Sequence, residues 1–153
     1  MNIRTAKKED IDQINNIYKI LFAYMCELQP AYFKATNQDM EFLTSIIKSE
    51  SADIIVAENH GHVVGFALVQ EQVTPPYNCI VQHKYAFLMD IAVEPESRDQ
   101  GIGTALINSV KLWAKERNLE YLELNVLSEN LKAYKLYKNE SFTEVMRTMR
   151  CSL

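Results

Sequence analysis

The chain has 153 residues, the size of one ordinary domain and enough to bury a single core. Hydrophobic residues make up 48% and charged residues 24%, a balance that excludes a disordered or fibrous chain. Sixteen Lys and Arg against twenty Asp and Glu leave a net charge of −4, so the chain carries no basic footprint for a nucleic-acid backbone.

Residues 1 to 5 are expected to form a short strand. The opening MNIRTAKKED has no apolar stretch behind its charges, so no signal peptide is expected and the cytoplasm is the expected compartment. Ile11, Ile14, Ile17, Leu21, Phe22 and Met25 then recur at three- and four-residue steps, which predicts an amphipathic helix with Glu9 and Asp10 at its N-terminal dipole. Its run Ile20–Cys26 is the longest uninterrupted apolar stretch and has seven residues, against about twenty for a membrane span. Gln29-Pro30 breaks this helix, and a second is predicted from Asn37 or Asp39, with Phe42, Leu43, Ile46 and Ile47 on one face. DIIVAE and VVGFALVQEQV read as antiparallel strands joined by the hairpin loop Asn59-His60-Gly61-His62 and ended by Thr74-Pro75-Pro76. A third long strand is expected from about Lys84 to Val93, stopped at Glu94-Pro95. A glycine loop, a helix carrying Leu106, Ile107, Val110, Trp113 and Ala114, the strand YLELNV, a helix over about Asn130 to Asn139 and a last strand to Met149 complete the chain. The pattern predicts one α/β (α+β) domain over 1–153, with a mixed, mostly antiparallel sheet containing a parallel pair. Cys26, Cys79 and Cys151 are odd in number, lack C-x-x-C spacing and read as free thiols.

Two of only four glycines stand together in Arg98-Asp99-Gln100-Gly101-Ile102-Gly103, between a strand and a helix. There the backbone turns tightly, and the first helical N–H groups, lacking internal partners, hold an anion at the positive end of the dipole. A di- or triphosphate fits such a place. A P-loop is excluded because no Gly-Lys-Ser/Thr follows, and a dinucleotide fingerprint because its third glycine position is Leu106.

Val93, Pro95, Arg98, Gly101 and Gly103 form V-x-P-x-x-R-x-x-G-x-G after a buried strand, which resembles the acetyl-CoA loop of the GNAT superfamily of N-acetyltransferases. Leu124-Asn125-Val126 followed by Asn130, Ala133, Tyr134 and Tyr137 is similar to its second cofactor motif. The chain departs from the family pattern at Ser141, often glycine there, and at Asp99, often small or basic; the Asp99 side chain is expected to point to solvent, because facing a pyrophosphate it would repel it. The resemblance implies that backbone amides from Arg98 to Thr104, through Asp99, Gln100, Gly101, Ile102 and Gly103, bind pyrophosphate. It also implies that the strand Ile91-Ala92-Val93 pairs with the pantetheine arm where neighbouring strands splay, with the thioester carbonyl near the Ile91 N–H. Asn125 and Ala133 belong to the implied cofactor site. Asn130 has two readings, a contact to the cofactor arm or an ordinary helix N-cap.

Acetyl transfer to an amine needs a deprotonated nucleophile, a donor for the oxyanion and a proton for the departing thiolate. Tyr137 stands where the family pattern has its tyrosine general acid, and a phenol is protonated at neutral pH; without the resemblance it reads as packing. Asp90, an acid inside the apolar run Phe87 to Val93, is either the base or a carboxylate satisfied by neighbouring backbone or a cation, with Glu27 acting through water as the substitute base. His60 and His62 fall in the hairpin loop and read as solvated, and no metal is assigned. Tyr24, Glu27, Tyr32, Phe33 and Tyr77 are candidate acceptor-lining residues. The acidic balance favours a cationic acceptor: a polyamine, an amino sugar or a peptide amine. An acyl-CoA-binding sensor without turnover and a cofactor-free interaction domain are the competing readings, and the expected assembly of the enzyme is a homodimer.

Overall fold

Runs of β-branched residues build the centre of the molecule, a five-stranded sheet in the order β1-β2-β3-β4-β5. The computed structural model describes residues 1–153. The strands are β1 Asn2–Thr5, β2 Ala52–Asn59, β3 His62–Val73, β4 Lys84–Val93 and β5 Leu122–Leu124. β1 to β4 are antiparallel neighbours and β4 pairs with β5 in parallel, the mixed, mostly antiparallel sheet that the sequence predicts.

Helices α1 Ile11–Leu28 and α2 Met40–Ile47 cover one face, where Ile14, Ile17, Tyr18 and Leu43 pack on Ile54, Val56, Phe66 and Leu68. Helix α3 Ile102–Glu116 covers the other, with Leu106, Val110 and Trp113 on Ile55, Ala57, Ala67 and Val69. Alternate residues of β2 and β3 thus feed opposite cores, which is why both strands read as continuous apolar runs. Helix α4 Leu131–Asn139 follows β5.

The hairpin loop is tighter than its four-residue reading: Asn59 pairs with His62, and His60 and Gly61 turn alone with φ of 49° and 80°, the positive pair that a two-residue turn needs. Helix α2 starts at Met40, where Asp39 Oδ1 accepts the Glu41 N–H at 2.8 Å.

Two expectations fail near the C-terminus. β5 has three residues instead of the six of YLELNV, and the strand to Met149 does not form. Beyond Phe142 no neighbouring strand supplies hydrogen bonds or a packing face, so Val145, Met146 and Met149 stay exposed despite their β propensity. Arg147 instead pairs with Glu144, and the Arg150 guanidinium lies 3.5 Å from the centre of the Tyr32 ring. Ser141 closes α4 in a left-handed conformation, φ 69°, with the Phe142 N–H on the Tyr137 carbonyl at 2.9 Å. Ser141→Gly is expected to stabilise the fold by about 0.5–1 kcal/mol, because the left-handed penalty of about 1–2 kcal/mol exceeds the extra chain entropy of glycine; a higher urea midpoint at unchanged slope is the readout.

Arg4 ties β1 to the turn before α1 through both Asp10 oxygens, at 2.7 and 3.0 Å. This pair, together with the Lys7 N–H, holds the Asp10 carboxyl below the usual carboxylate range. A depressed acid contributes stability above its unfolded pKa, about 3.9, and loses it as pH falls through the lower folded value. Asp10→Asn is therefore expected to destabilise the protein at neutral pH, and the gap to the wild type, followed by denaturant melts, should narrow as the pH falls below the ordinary aspartate range.

Candidate active site

The parallel ladder between β4 and β5 has three pairs and ends at Leu88 opposite Leu124. At that point Met89 is an extra residue: Leu68 pairs with Asp90 and Val69 with Leu88, a β-bulge. Past the bulge β4 stays on β3 while β5 gives way to an irregular segment, so a slot opens along the free edge of β4. Glu94 donates its N–H to Val64 at 2.9 Å, so by antiparallel alternation Ala92 and Asp90 also face β3, and the N–H groups of Ile91 and Val93 face the slot. The bulge also resets side-chain parity. Ile91 and Val93 join Ala86 and Leu88 in the core under α3, whereas Asp90 turns toward α1.

At the end of the slot the chain enters α3 through residues of unusual backbone. Asp99 and Gly101 are left-handed, with φ of 61° and 77°, and Gly101 is the N-cap without any side-chain cap, so the first amides of α3 have no side-chain acceptor. Buried Ile102 anchors the helix in the core, and Thr104 lies half-buried one turn in. Gly103 serves a different purpose from Gly101: a Cβ there would stand 3.1 Å from Leu136 Cδ2 on α4, so its absence lets α3 and α4 close on each other. Arg98 Nε donates to the Val93 carbonyl at 3.0 Å, and Gln100 to the Glu96 carbonyl at 3.3 Å, both fixing the loop. Asp99 points to solvent, as expected, and meets Lys132 of α4 at 3.1 Å.

Asp90 accepts the Tyr18 hydroxyl on Oδ2 at 2.8 Å and has no cation partner. Its other oxygen, Oδ1, takes no hydrogen bond from the protein and is not sealed from solvent. Burial pushes the Asp90 carboxyl above the usual range, against the Tyr18 bond, which lowers it. Tyr137, on α4, is 9% exposed and packs edge-on against Phe142, yet its hydroxyl likewise has no protein partner and is not sealed. Burial, reinforced by the charge of Asp90, pushes its phenol up to about 12. Asn130 caps α4, its Oδ1 accepting the Ala133 N–H at 3.2 Å, and Asn125 lies exposed beyond β5.

The acceptor candidates separate. Tyr24 and Glu27 line a cleft of about 410 Å³ between α1 and the Pro95–Arg98 segment. Tyr32, under Arg150, and half-buried Phe33 sit in the turn after α1, where Gln29 donates to Glu129 at 2.9 Å and links α1 to the segment leading into α4. Tyr77 is not brought to them: it lies in the β3–β4 connection, at the opposite end of a strand roughly 30 Å long from the glycine loop. Sequence reasoning missed Tyr18, which stands beside Ile17 on α1 with no local signal of its own; only Asp90, an acid in an apolar run, hinted that some donor had to face it.

A helix start with uncapped amides follows a strand edge whose outer amides are free, the arrangement seen along β4 and at the start of α3. Residues 14–142 match the acetyltransferase (GNAT) family, and the chain belongs to it. It is an acetyl-CoA-dependent N-acetyltransferase domain that acts on an amine. It is 30% identical to an uncharacterised N-acetyltransferase of Methanocaldococcus jannaschii over 142 residues, 93% of this chain and 60% of that protein's length. It is 28% identical to the type 1 aminoglycoside N(6′)-acetyltransferase of Klebsiella aerogenes over 128 residues, 82% of each. In fold it is similar to the crystal structure of a mutant BH1408 protein from Bacillus halodurans, with a TM-score of 0.94 at 18% identity over 100% of both chains.

Proposed function

We propose that this domain acetylates a primary amine by direct attack on the thioester, with Asp90 as the base and Tyr137 as the acid. What supports the reading is that Asp90 Oδ1 and the Tyr137 hydroxyl take no hydrogen bond from the protein, while the charge of Asp90 reaches Tyr137. Bound acetyl-CoA supplies the activated acyl carbon. The amides of Ile102, Gly103 and Thr104 would hold its pyrophosphate, and the edge of Ile91 and Val93 its pantetheine arm. The Ile91 N–H is the donor for the carbonyl oxygen, because it points into the slot beside the bulge. An alkylamine is mostly protonated at neutral pH, and a carboxylate with a raised pKa is suited to take its proton. Tyr137 stays neutral over the working range and holds the proton that the sulfur receives.

For the acceptor, the reading keeps a polyamine, an amino sugar or a peptide amine. The amine substrates in the relatives' names support it, an aminoglycoside and an alanine of ribosomal protein bS18. Tyr24, Glu27, Tyr32 and Phe33 are the proposed lining. The proposed setting is a cytoplasmic homodimer, for which exposed Val145, Met146 and Met149 offer a contact surface; no helix is long and apolar enough to cross a membrane. The test is thiol release from acetyl-CoA across a panel of amines, peptides and amino sugars, with the product checked for one added acetyl group. Turnover with one acceptor class supports the enzyme, whereas tight CoA binding without turnover on any acceptor would favour the sensor.

A further inference from the structure

We propose that Tyr18 is a positioning residue for the reaction: its hydroxyl pins one oxygen of Asp90 so that the other is presented to the slot. The proposal rests on the reading of Asp90 as the base. Tyr18 lies 72 residues before Asp90 in the chain, on the helix packed across that face of the sheet. It is fully buried, and its ring is wedged 4.4 Å from Phe66 and 5.2 Å from Phe22, centre to centre, so the hydroxyl cannot swing away. Packing alone would ask only for a phenylalanine here, because the surrounding Ile14, Ile17 and Leu68 are apolar and a buried hydroxyl is unfavourable unless it is paired. Its partner is the one carboxylate of the slot.

A carboxylate with no partner rotates about its last bond and offers its lone pairs in every direction. With Oδ2 held at 2.8 Å, Oδ1 has a single heading, and a base that removes a proton during attack needs that fixed geometry. The groups that face Asp90 are few: Tyr18 from α1 donates to it, Tyr137 from α4 feels its charge, Leu68 lies opposite on β3, and Gln38, from the connection between α1 and α2, reaches the Tyr18 hydroxyl. Burial and the charge of Asp90 hold the Tyr18 phenol far above its ordinary range, so it remains a donor at every working pH. Its bond favours the ionised carboxylate and opposes the upward push of burial.

The test compares pH profiles of kcat/KM for the wild type, Tyr18→Phe and Asp90→Asn, with acetyl-CoA affinity measured by calorimetry and the fold by circular dichroism. The ionisation of the acceptor is common to all three and cancels in the comparison. Tyr18→Phe is expected to move the acidic limb to higher pH, because the carboxylate loses its stabilising bond. It should also lower kcat at the plateau roughly tenfold, with acetyl-CoA affinity unchanged. A Tyr18→Phe enzyme with the wild-type limb and kcat, even if less stable, would make Tyr18 a packing residue and overturn the proposal. If Asp90→Asn retains the limb, Asp90 is not the base, and the underlying reading fails together with the proposal. Should Tyr18→Phe not fold, ¹³C NMR of the wild type decides. A carboxyl signal absent from Asp90→Asn must titrate above the ordinary aspartate range and be followed by a buried tyrosine ring signal that persists in Tyr137→Phe; if none persists, the proposal is overturned.

Discussion

Tyr137→Phe should slow acetyl transfer by roughly 10² to 10⁴ while leaving acetyl-CoA affinity within about twofold of wild type, the contribution usual for a general acid. The substitution removes only the hydroxyl, and the ring keeps its contact with Phe142, so the fold should persist. A second consequence concerns pH. An acid must be protonated to act, and a phenol pushed up to about 12 loses its proton only far above neutrality, so the basic limb due to Tyr137 should lie near that value. Asp90 contributes to the upward push, so Asp90→Asn should bring this limb down. Single-turnover kinetics with a saturating acceptor measure both effects on the chemical step. An unaltered rate in Tyr137→Phe would return the residue to a packing role.

Gly101→Glu should weaken acetyl-CoA binding by about 50-fold. At φ 77° a side chain brings the left-handed penalty of about 1–2 kcal/mol, so the free loop of the variant relaxes out of this shape and must regain it on binding, and a carboxylate at the helix start repels the pyrophosphate by about 1 kcal/mol or more. Together these approach two tenfold steps of 1.4 kcal/mol each. Gly101 is the better position for this test than Gly103. No atom lies within 4 Å of the Cβ site at Gly101, so the substitution acts on the loop, whereas at Gly103 it would also push Leu136 and α4. Calorimetry with CoA on the folded variant gives the answer, and unchanged affinity would remove the loop from the cofactor site.

The strands and the glycine loop were legible because local chemistry defines them. β-branched runs bounded by turn residues marked β2, β3 and β4, and paired glycines after a strand marked the start of α3. Asp90 stood out in the sequence as an acid in an apolar run. Its partner did not, because Tyr18 reaches it across 72 residues through a helix-on-sheet contact that no local pattern encodes. The bulge at Met89 was equally invisible: one extra residue in a strand leaves the composition unchanged yet decides which backbone groups face the slot. The C-terminal segment shows the reverse error. Its apolar residues carry strand propensity, but propensity needs an edge and a face to pack on, and Val145, Met146 and Met149 find neither. Gly103 was read only as part of the pyrophosphate loop, and the sequence did not show that its missing Cβ lets α4 pack on α3.

The central claim, that the thioester is held along the free edge of β4 and the pyrophosphate on the start of α3, is tested most directly by amide hydrogen exchange with and without acetyl-CoA. The account predicts new protection at the N–H groups of Ile91, Val93, Ile102, Gly103 and Thr104, and little change at Asp90 and Ala92, which already face β3. Protection that appears elsewhere while Ile91, Val93 and the start of α3 exchange as before would contradict it.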